Sequence, residues 1–359
     1  MKIVLFVPSF NVGGVEKVMI LLANQFVSNH YEVAIIAKNE GALCSLLDER
    51  VRVIDMGKRR IRNSFFFLKW VLEKEHFDCL ISATEFCNFI AIFVCKFLAV
   101  RPHLIIMQHS YFNIETKGLG LHGKIVPLLI RLLYRDADFV VVVSDGVKRM
   151  LSSMRVPSTK IIRIYNPVDI KSVQLSSSEC DKDSWMEGIK YLVYVGRLEK
   201  VKNVIFLLRA YSLFCKKSDY KLLIVGDGSE KKYLEKETER LKLSDKIYFI
   251  GDQTNPYPYI KHSSLLILPS LSESFGLVVV EALALGVTVI STPTAGVLEI
   301  DGDNGCIYFT KSFEDENELC SIMQYALEHP LDKTKLLDHA LLFDHSVIMN
   351  EYVRLIQSF

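Results

Sequence analysis

The 359-residue sequence lacks the features of a disulfide scaffold, a zinc protein or a membrane-spanning protein. Its eight cysteines form no C-x-x-C pair and no metal-ligand spacing, which favours reduced, mostly buried thiols. The best membrane-span candidate, FIAIFVCKFLAV at 89–100, is too short to cross a bilayer and contains Lys96, so it predicts a buried helix. The first residues, MKIVLFVPSF, run directly into a strand pattern without a cleavage site. We therefore expect a cytoplasmic protein without a signal peptide, disulfides or a structural metal.

A large net charge is also missing, because the whole chain carries only +1. The charge is nevertheless uneven: residues 1–180 carry +7 and the remainder carries −6. Such asymmetry indicates that the N-terminal half meets something anionic. Uneven solvation of two ordinary domains would produce the same pattern.

Strand and helix patterns alternate along the chain. The segments KIVLFVPSF, NVGGVEK, VMILLANQFVSN and YEVAIIAK read as strand, turn, helix and strand. Further strand runs are continuously apolar, as a parallel sheet covered on both faces requires. The pattern pauses in a polar segment and restarts at YLVYVGRL. We predict two doubly wound α/β domains at 1–175 and 189–344, with a linker at 176–188. A C-terminal helix at 345–359 would follow, with packing back on the N-terminal domain as one option.

Several residues of chemical interest directly follow strands, where doubly wound sheets bind ligands. Arg197 and Lys202 come after YLVYV, near a predicted helix start, and suit a polyanion. Glycines in two strand-to-helix turns, Gly226 and the pair at 13–14, permit close backbone approach. His109 ends the strand HLIIMQ. Each feature alone has an ordinary alternative: a solvated cation, a tight turn or a structural histidine.

The stretch PSLSESFGLVVVEALALG at 269–286 places Glu281 in an apolar helix pattern. A buried carboxylate is costly, so either a polar group of the protein satisfies it or it faces a ligand. Ser274 is predicted to cap the helix, which would begin near Phe275 or Gly276 and present the amides of 275–277 to an anion. Glu273 lies in the preceding loop. The spacing suits two carboxylates that contact different parts of one long ligand.

These segments resemble the retaining glycosyltransferase family 4, which has the GT-B fold. The family element P-S-x-x-E-[GS]-F-G-x-x-x-x-E-A matches PSLSESFGLVVVEA, and G-R-L-x-x-x-K-[GN] matches GRLEKVKN. Weaker matches are GGVEKV, VVSDGVK, NPVD, IVGDG and TAGVLEI. The resemblance implies two Rossmann-like domains that face each other across a cleft. It also implies transfer of a hexosyl or N-acetylhexosaminyl group from a UDP- or GDP-linked donor to a saccharide acceptor, with retention of configuration.

The resemblance assigns roles residue by residue. Glu281 would bind the ribose hydroxyls and Glu273 the hydroxyls of the transferred sugar. Arg197 and Lys202 would hold the diphosphate, and His109 would lie near the donor sugar. The expected catalytic residues are Glu273, His109, Arg197 and Lys202. The remaining expected donor-binding residues are Gly13, Gly14, Gly226, Ser274, Phe275, Gly276 and Leu277.

No divalent metal or other cofactor is expected, because two cations and a helix end can stabilise the departing diphosphate. The D-x-D triplets at 136–138 and 301–303 lie at a strand start and in a turn, and we interpret them as structural. The chain departs from the family at Asn203, Pro167 and Ala295, where glycine is commoner. Only Ala295 puts a close approach to the sugar in doubt.

The N-terminal half is expected to recognise the acceptor. Its segment KRRIRNSFFFLKW at 58–70 combines five basic residues with four aromatic ones. Such a segment suits an anionic membrane surface, although a buried aromatic helix face with a solvated basic edge is the alternative. We expect a saccharide or lipid-linked saccharide acceptor in surface polysaccharide assembly (lipopolysaccharide or capsule), a peripheral position on the inner membrane face, and no nucleic acid.

Two rival functions remain. A non-catalytic sugar-nucleotide-binding scaffold would keep the fold, although the retained charged residues argue against it. An NAD-linked oxidoreductase would require G-x-G-x-x-G followed by an acidic residue about 20 positions on, and neither is arranged here.

Overall fold

The computed structural model describes residues 1–57, 60–111, 121–178 and 188–359, apart from the side chains of residue 62 and residues 121–124. It divides into two compact units. The first comprises Met1–Val168 and His345–Phe359, and the second comprises Asp169–Asp344. The predicted linker at 176–188 lies mostly outside the described residues.

Each unit contains one parallel sheet. Within the described residues, the strands of the first unit are β1 (Lys2–Ser9), β2 (Glu32–Lys38), β3 (Arg52–Asp55), β4 (Cys79–Ala83), β5 (His103–Gln108), β6 (Phe139–Val142) and β7 (Ile161–Arg163). Those of the second unit are β8 (Tyr191–Val195), β9 (Lys221–Val225), β10 (Ile247–Gly251), β11 (Leu265–Leu268), β12 (Val289–Ser291) and β13 (Ile307–Phe309).

Helices connect the strands. The described α-helices are α1 (Gly14–Ser28), α2 (Phe65–Glu75), α3 (Glu85–Lys96), α4 (Leu121–Leu133), α5 (Asp145–Ser153), α6 (Ile170–Ser176), α7 (Val204–Phe214), α8 (Lys231–Arg240), α9 (Tyr257–Lys261), α10 (Leu277–Ala284), α11 (Ala295–Asp301), α12 (Glu316–Glu328), α13 (Lys333–Ala340) and α14 (His345–Gln357).

The strand orders confirm the doubly wound prediction. The first sheet runs β3-β2-β1-β4-β5-β6-β7 and the second runs β10-β9-β8-β11-β12-β13, with parallel pairing throughout the described strands. Each order reverses beside the first strand of its unit, between β1 and β4 or between β8 and β11. In open α/β sheets the crevice at such a reversal is the usual ligand site. The topology therefore marks one such edge in each unit.

The two faces of the first sheet carry different helices. Right-handed crossovers place α1 on one face and α2, α3 and α4 on the other, because the chain reverses direction across the sheet after β3. The packing agrees: α2 contacts α3, α3 contacts α4, and α1 contacts the C-terminal helix α14. Strand β1 is fully buried from Ile3 to Phe6, as a centre covered on both sides requires.

The boundary between the units lies at Val168/Asp169 rather than at 175. Helix α6 belongs to the second unit, because it packs on α9 and α10 and buries Ile170 and Val173. The Gln174 side-chain amide also donates to the Ala284 carbonyl at 3.0 Å. At the other end of the chain, α14 lies in the first unit, and the Phe359 ring stacks on His103 at 4.0 Å.

The apolar stretch at 89–100 differs from its prediction as a buried helix. Helix α3 ends at Lys96, and one of its faces packs inward through residues such as Ala91 and Val94. Phe93 and Phe97 instead face solvent. None of the helices in the described part of the chain is both long and apolar enough to span a bilayer.

Candidate active site

Two cations follow strand β8, as the sequence predicts. Arg197 lies two residues after the strand end and its side chain is exposed. Lys202 ends a 3₁₀ turn, Lys200–Lys202, and Asn203 separates it from the start of helix α7. Asn203 occupies the left-handed region at φ 51° and donates from its side chain to the Phe313 carbonyl at 3.1 Å. This conformation favours glycine, and asparagine is one of the few other residues that tolerate it.

Lys202 contacts Glu273. The Lys202 ammonium donates to Glu273 Oε1 at 2.7 Å, and the Ser270 hydroxyl donates to the same oxygen at 2.6 Å. Glu273 is only 9% exposed, so both bonds support a largely desolvated carboxylate. The Thr292 hydroxyl in turn donates to the Ser270 carbonyl at 2.5 Å and fixes that turn. The carboxylate is thus held in one orientation from the protein side.

Tyr194 links the two strand-end segments. Burial, followed by the nearby Glu273 charge, raises the pKa of Tyr194 well above its ordinary value, with Arg197 opposing the shift. The phenol therefore stays protonated, and it donates to the Arg197 carbonyl at 2.9 Å. This bond fixes the backbone from which the Arg197 side chain projects.

Helix α10 begins later than predicted. Its cap is Gly276, at φ 106°, and the first helical residue is Leu277, so Ser274 is not the cap. A side chain at 276 would face both a strained backbone and Val297 Cγ2 at 3.2 Å. The helix start still leaves its first-turn amides without intrahelical acceptors, as at any helix N-terminus. Glu281 lies on the second turn, as expected.

Gly296 provides a close backbone approach in the TAGVLEI segment. Its amide donates to the Glu273 carbonyl at 3.1 Å. A Cβ at 296 would lie 2.6 Å from the Phe275 nitrogen, so only glycine fits there. The departure at Ala295 leaves this approach intact, because Ala295 is the exposed first residue of α11.

Glu281 has a protein partner that sequence reasoning missed. The Tyr257 hydroxyl on α9 donates to Glu281 Oε1 at 3.1 Å, and Glu281 is 7% exposed. Burial and then the Glu281 charge raise the pKa of Tyr257, so the phenol remains a donor. No local signal announces this pair, since the two residues lie on separate elements.

Position 226 accommodates only glycine, because it lies against the backbone of Gly196. At φ 136° it approaches the β8 turn so closely that a Cβ would lie 2.0 Å from the Gly196 carbonyl oxygen. The glycine turn after β9 therefore positions the segment that carries Arg197.

The remaining predicted residues belong to the first unit. Gly13 caps α1 and Gly14 begins it, in the turn that follows β1. His109 follows β5, and its buried Nε2 has no hydrogen-bond partner in the described residues; the same holds for Asn166 Oδ1. Burial lowers the pKa of His109 to about 4, although the Asn166 side chain opposes the shift. His109 is therefore neutral near pH 7, and its ring can donate a hydrogen bond to a ligand or accept one from it.

The aspartate triplets have contacts within the protein. Asp136 pairs with Lys96 at 2.6 Å and Asp138 with Arg101 at 2.7 Å. Asp301 accepts backbone N–H bonds from residues 305 and 306 at 3.2 and 2.7 Å. In the described part of the chain, no group of three His, Cys, Asp or Glu residues is arranged to hold a metal ion.

Two family models match successive parts of the chain. The model described as Glycosyl transferases group 1 matches residues 180–338, and the model described as Glycosyltransferase Family 4 matches residues 12–172. The first covers the cluster around Lys202 and Glu273, and the second covers most of the first unit.

Two relatives from Campylobacter jejuni subsp. jejuni serotype O:2 match most of the chain. One is N-acetylgalactosamine-N,N'-diacetylbacillosaminyl-diphospho-undecaprenol 4-alpha-N-acetylgalactosaminyltransferase, 26% identical over 314 residues, which cover 84% of each protein. The other is GalNAc-alpha-(1->4)-GalNAc-alpha-(1->3)-diNAcBac-PP-undecaprenol alpha-1,4-N-acetyl-D-galactosaminyltransferase, 27% identical over 99% of this chain and 98% of the relative.

The fold also matches a solved structure. Anabaena HepE in complex with UDP-glucose aligns with a TM-score of 0.85 and 19% identity over 100% of both chains. The two Rossmann-like sheets and the family matches define an enzyme that transfers sugars. The chain is a glycosyltransferase of the GT-B fold that resembles glycosyltransferase family 4.

Proposed function

We propose that this glycosyltransferase moves a sugar from a UDP- or GDP-linked donor to a lipid-linked saccharide, with retention at the anomeric carbon. The observation that carries the proposal is the pairing of Lys202 with Glu273 beside the start of α10. A cation, a buried carboxylate and helix amides in one place suit a ligand that is anionic at one end and rich in hydroxyls at the other.

The proposed donor roles follow from this arrangement. Arg197, Lys202 and the amides of residues 275–277 stabilise the charge that builds on the departing diphosphate. Glu273 accepts hydrogen bonds from hydroxyls of the transferred sugar. Glu281, oriented by Tyr257, accepts those of the ribose. For His109 and the Gly13–Gly14 turn we propose the donor roles that the family resemblance implies.

A lipid-linked acceptor is supported by the names of the two Campylobacter relatives, both of which refer to an undecaprenol-linked saccharide. A hexosamine-type sugar is supported in the same way. We propose a role in assembling a surface polysaccharide or glycan on the cytoplasmic face of the membrane.

We propose that the first unit meets the acceptor lipid at a membrane surface, through the sheet face covered by α2, α3 and α4. Phe66 and Trp70 on α2 are 81% and 56% exposed, and lie one helical turn apart. The neighbouring helices also expose apolar stripes at helical spacing: Phe86, Phe93 and Phe97 on and just after α3, and Ile125, Leu128 and Leu132 on α4. Apolar residues on three adjacent helices exceed the scattered exposure normal for a soluble surface.

An anionic bilayer is the proposed partner of this face. The basic cluster predicted at 58–62 lies two residues before α2 in the sequence, although Lys58, Arg59 and the Arg62 side chain lie outside the described part of the chain. Aromatic residues favour the membrane interface, and basic residues beside them favour anionic lipid. Exposure of Phe66 and Trp70 argues against the alternative of a buried aromatic helix face.

A ligand panel tests the proposed donor. Thermal unfolding is measured with UDP- and GDP-linked sugars, and a donor at 100 times its Kd should stabilise the fold by about 2.7 kcal/mol. The matched pair Lys202→Ala and Lys200→Ala separates site binding from general attraction of anions, because Lys200 is an exposed lysine in the same turn. The proposal is contradicted if no sugar nucleotide protects the parent or the variants against thermal unfolding. A scaffold protein would be protected but would not consume the donor.

A further inference from the structure

A chain of buried polar side chains in the first unit ends on a carboxylate that the donor site does not use. The Ser82 hydroxyl donates to Asn88 Oδ1 at 2.6 Å, and Asn88 Nδ2 donates to the Tyr134 hydroxyl at 3.1 Å. The Tyr134 hydroxyl donates to Gln108 Oε1 at 2.7 Å, and Gln108 Nε2 donates to Glu85 Oε1 at 3.0 Å. Every donor in this relay points toward Glu85.

The four side chains behind Glu85 are fully buried, whereas Glu85 itself is partly exposed. The relay also fixes both amide orientations, because Asn88 Nδ2 donates in addition to the Met107 carbonyl at 2.9 Å. A polar relay in a core costs desolvation at each member, and an apolar core of equal volume would be no less stable. Such a relay is therefore better explained by what it orients than by the stability it adds.

The location of Glu85 points to a ligand. Glu85 begins α3, directly after β4, and β4 neighbours β1 at the point where the strand order reverses. The turn after β1 holds Gly13 and Gly14, and the segment after β5 holds His109 and Ser110. Glu85 follows the strand that lies between those two, and the Ser110 hydroxyl donates to Glu85 Oε1 at 2.5 Å.

The backbone beside Glu85 is strained. Thr84 has φ 74° and ψ 147°, a conformation that β-branched residues rarely adopt. Strain of this kind persists where the surrounding structure imposes it, and it occurs most often at functional sites. Here it sets the direction in which the following residue leaves the strand.

We propose that Glu85 is an acceptor-binding residue, whose carboxylate accepts hydrogen bonds from hydroxyls of the acceptor saccharide. The assignment rests on the proposed function, because it needs a saccharide acceptor. Glu85 Oε1 already accepts from Gln108 and Ser110, and Oε2 has no hydrogen-bond partner in the described residues. The pair of donors thus fixes one oxygen and leaves the other to the ligand. No covalent step passes through Glu85.

The test compares Glu85→Gln with the parent and with the control Glu32→Gln. Glu32 is an exposed carboxylate at the amino end of β2, the opposite edge of the same sheet. The acceptor probes are undecaprenyl-diphosphate-linked mono-, di- and trisaccharides of N-acetylhexosamines. Acceptor KM, donor KM and acceptor-free donor hydrolysis are measured for each protein.

The proposal expects Glu85→Gln to raise acceptor KM by about 10-fold or more, the loss typical of a hydrogen bond to a charged group. Donor KM, donor hydrolysis and the control variant should stay within twofold of the parent. Ser110→Ala should produce a smaller rise in acceptor KM, because it removes one of the two bonds that orient the carboxylate. That variant also keeps the test valid if Glu85→Gln fails to fold.

The remaining outcomes separate this proposal from the proposed function. A parent that transfers sugar to the probes while Glu85→Gln matches its acceptor KM overturns the Glu85 assignment alone. The assignment is also overturned if donor hydrolysis by Glu85→Gln falls together with its transfer rate, because Glu85 would then act on the donor. A parent that consumes donor but glycosylates no probe overturns the proposed acceptor class, whatever the variants do.

Discussion

Lys202 and Glu273 are partners in the structure, joined by a 2.7 Å hydrogen bond between the ammonium and Oε1. The cation proposed for the diphosphate and the carboxylate proposed for the transferred sugar are therefore coupled before any donor binds. A donor would approach a lysine already held in place by Glu273, which lowers the entropy lost on binding.

The two cations after β8 should respond differently to removal. Lys202→Ala leaves the Glu273 carboxylate without its ion pair, so it should lower the free energy of unfolding by about 2 kcal/mol. Arg197 is exposed and makes no ion pair in the described residues, so Arg197→Ala should change stability by less than about 0.5 kcal/mol. Both should lower kcat by ~10²-fold or more, because each removes a preorganised charge from the leaving group.

Denaturant unfolding and turnover at saturating donor check these effects, with Lys200→Ala as the control. Wild-type turnover in Arg197→Ala or Lys202→Ala would remove that residue from the site. Equal stability of Lys202→Ala and the parent would mean that the pair adds nothing to the fold.

Glu281 should show a trade-off between stability and binding. Replacement by leucine removes a buried carboxylate from an apolar helix and should leave the free energy of unfolding unchanged or higher. The same change should abolish protection by the nucleotide sugar, because the proposed acceptor for the ribose hydroxyls is gone. Glu239→Leu, at an exposed position of α8, is the control. Retained donor protection in Glu281→Leu would contradict the ribose assignment.

His109 should make the fold sensitive to acid. Its pKa is about 4 in the folded protein against an ordinary value of 6.5, so the unfolded chain takes up a proton first as pH falls. His109 does not affect the free energy of unfolding above about pH 6.5, and it lowers that free energy as the pH falls from 6.5 to about 4. From pH 7.5 to 5, the parent should lose about 2 kcal/mol more than His109→Gln.

Denaturant unfolding at both pH values measures that difference. His30→Asn is the control, because His30 is exposed and asparagine tolerates its left-handed backbone. If the parent and His109→Gln lose the same free energy, the histidine is not buried in its neutral form.

Membrane binding should divide into two components. Replacing Lys58, Arg59, Arg60 and Arg62 with Ser should abolish the salt-sensitive binding to phosphatidylglycerol vesicles, since that attraction decays within about 8 Å at physiological ionic strength. The double variant Phe66→Ser, Trp70→Ser should abolish the salt-insensitive remainder. Co-sedimentation at low and high salt separates the two, with Tyr233→Ser as an exposed aromatic control in the second unit. Binding equal to that of the parent in both variants would mean that this face is an ordinary solvated surface.

Much of the site was predictable because its signals are local. Continuous apolar runs gave the parallel strands, and residues such as Arg197 and His109 follow strand ends by chain order alone. The placement of Glu281 on the second turn of its helix was likewise a matter of spacing.

The rest depends on tertiary structure. The helix cap is Gly276 rather than Ser274, at a positive φ and beside Val297, which lies far from it in the sequence. The partner of Glu281 is Tyr257, which comes from another helix. The relay to Glu85 joins residues as far apart as Ser82 and Tyr134. The sequence pattern also does not predict that Phe93 is exposed, because apolar residues lie on both faces of α3.

We propose that the chain transfers a sugar with retention and without a metal ion. The most direct measurement is proton NMR of the first product formed from an α-linked nucleotide sugar, with EDTA present throughout. We expect an α-configured product at the rate seen without EDTA, because protein cations and amides would stabilise the diphosphate. A β-configured product would contradict retention, and activity that requires added magnesium or manganese would contradict metal independence.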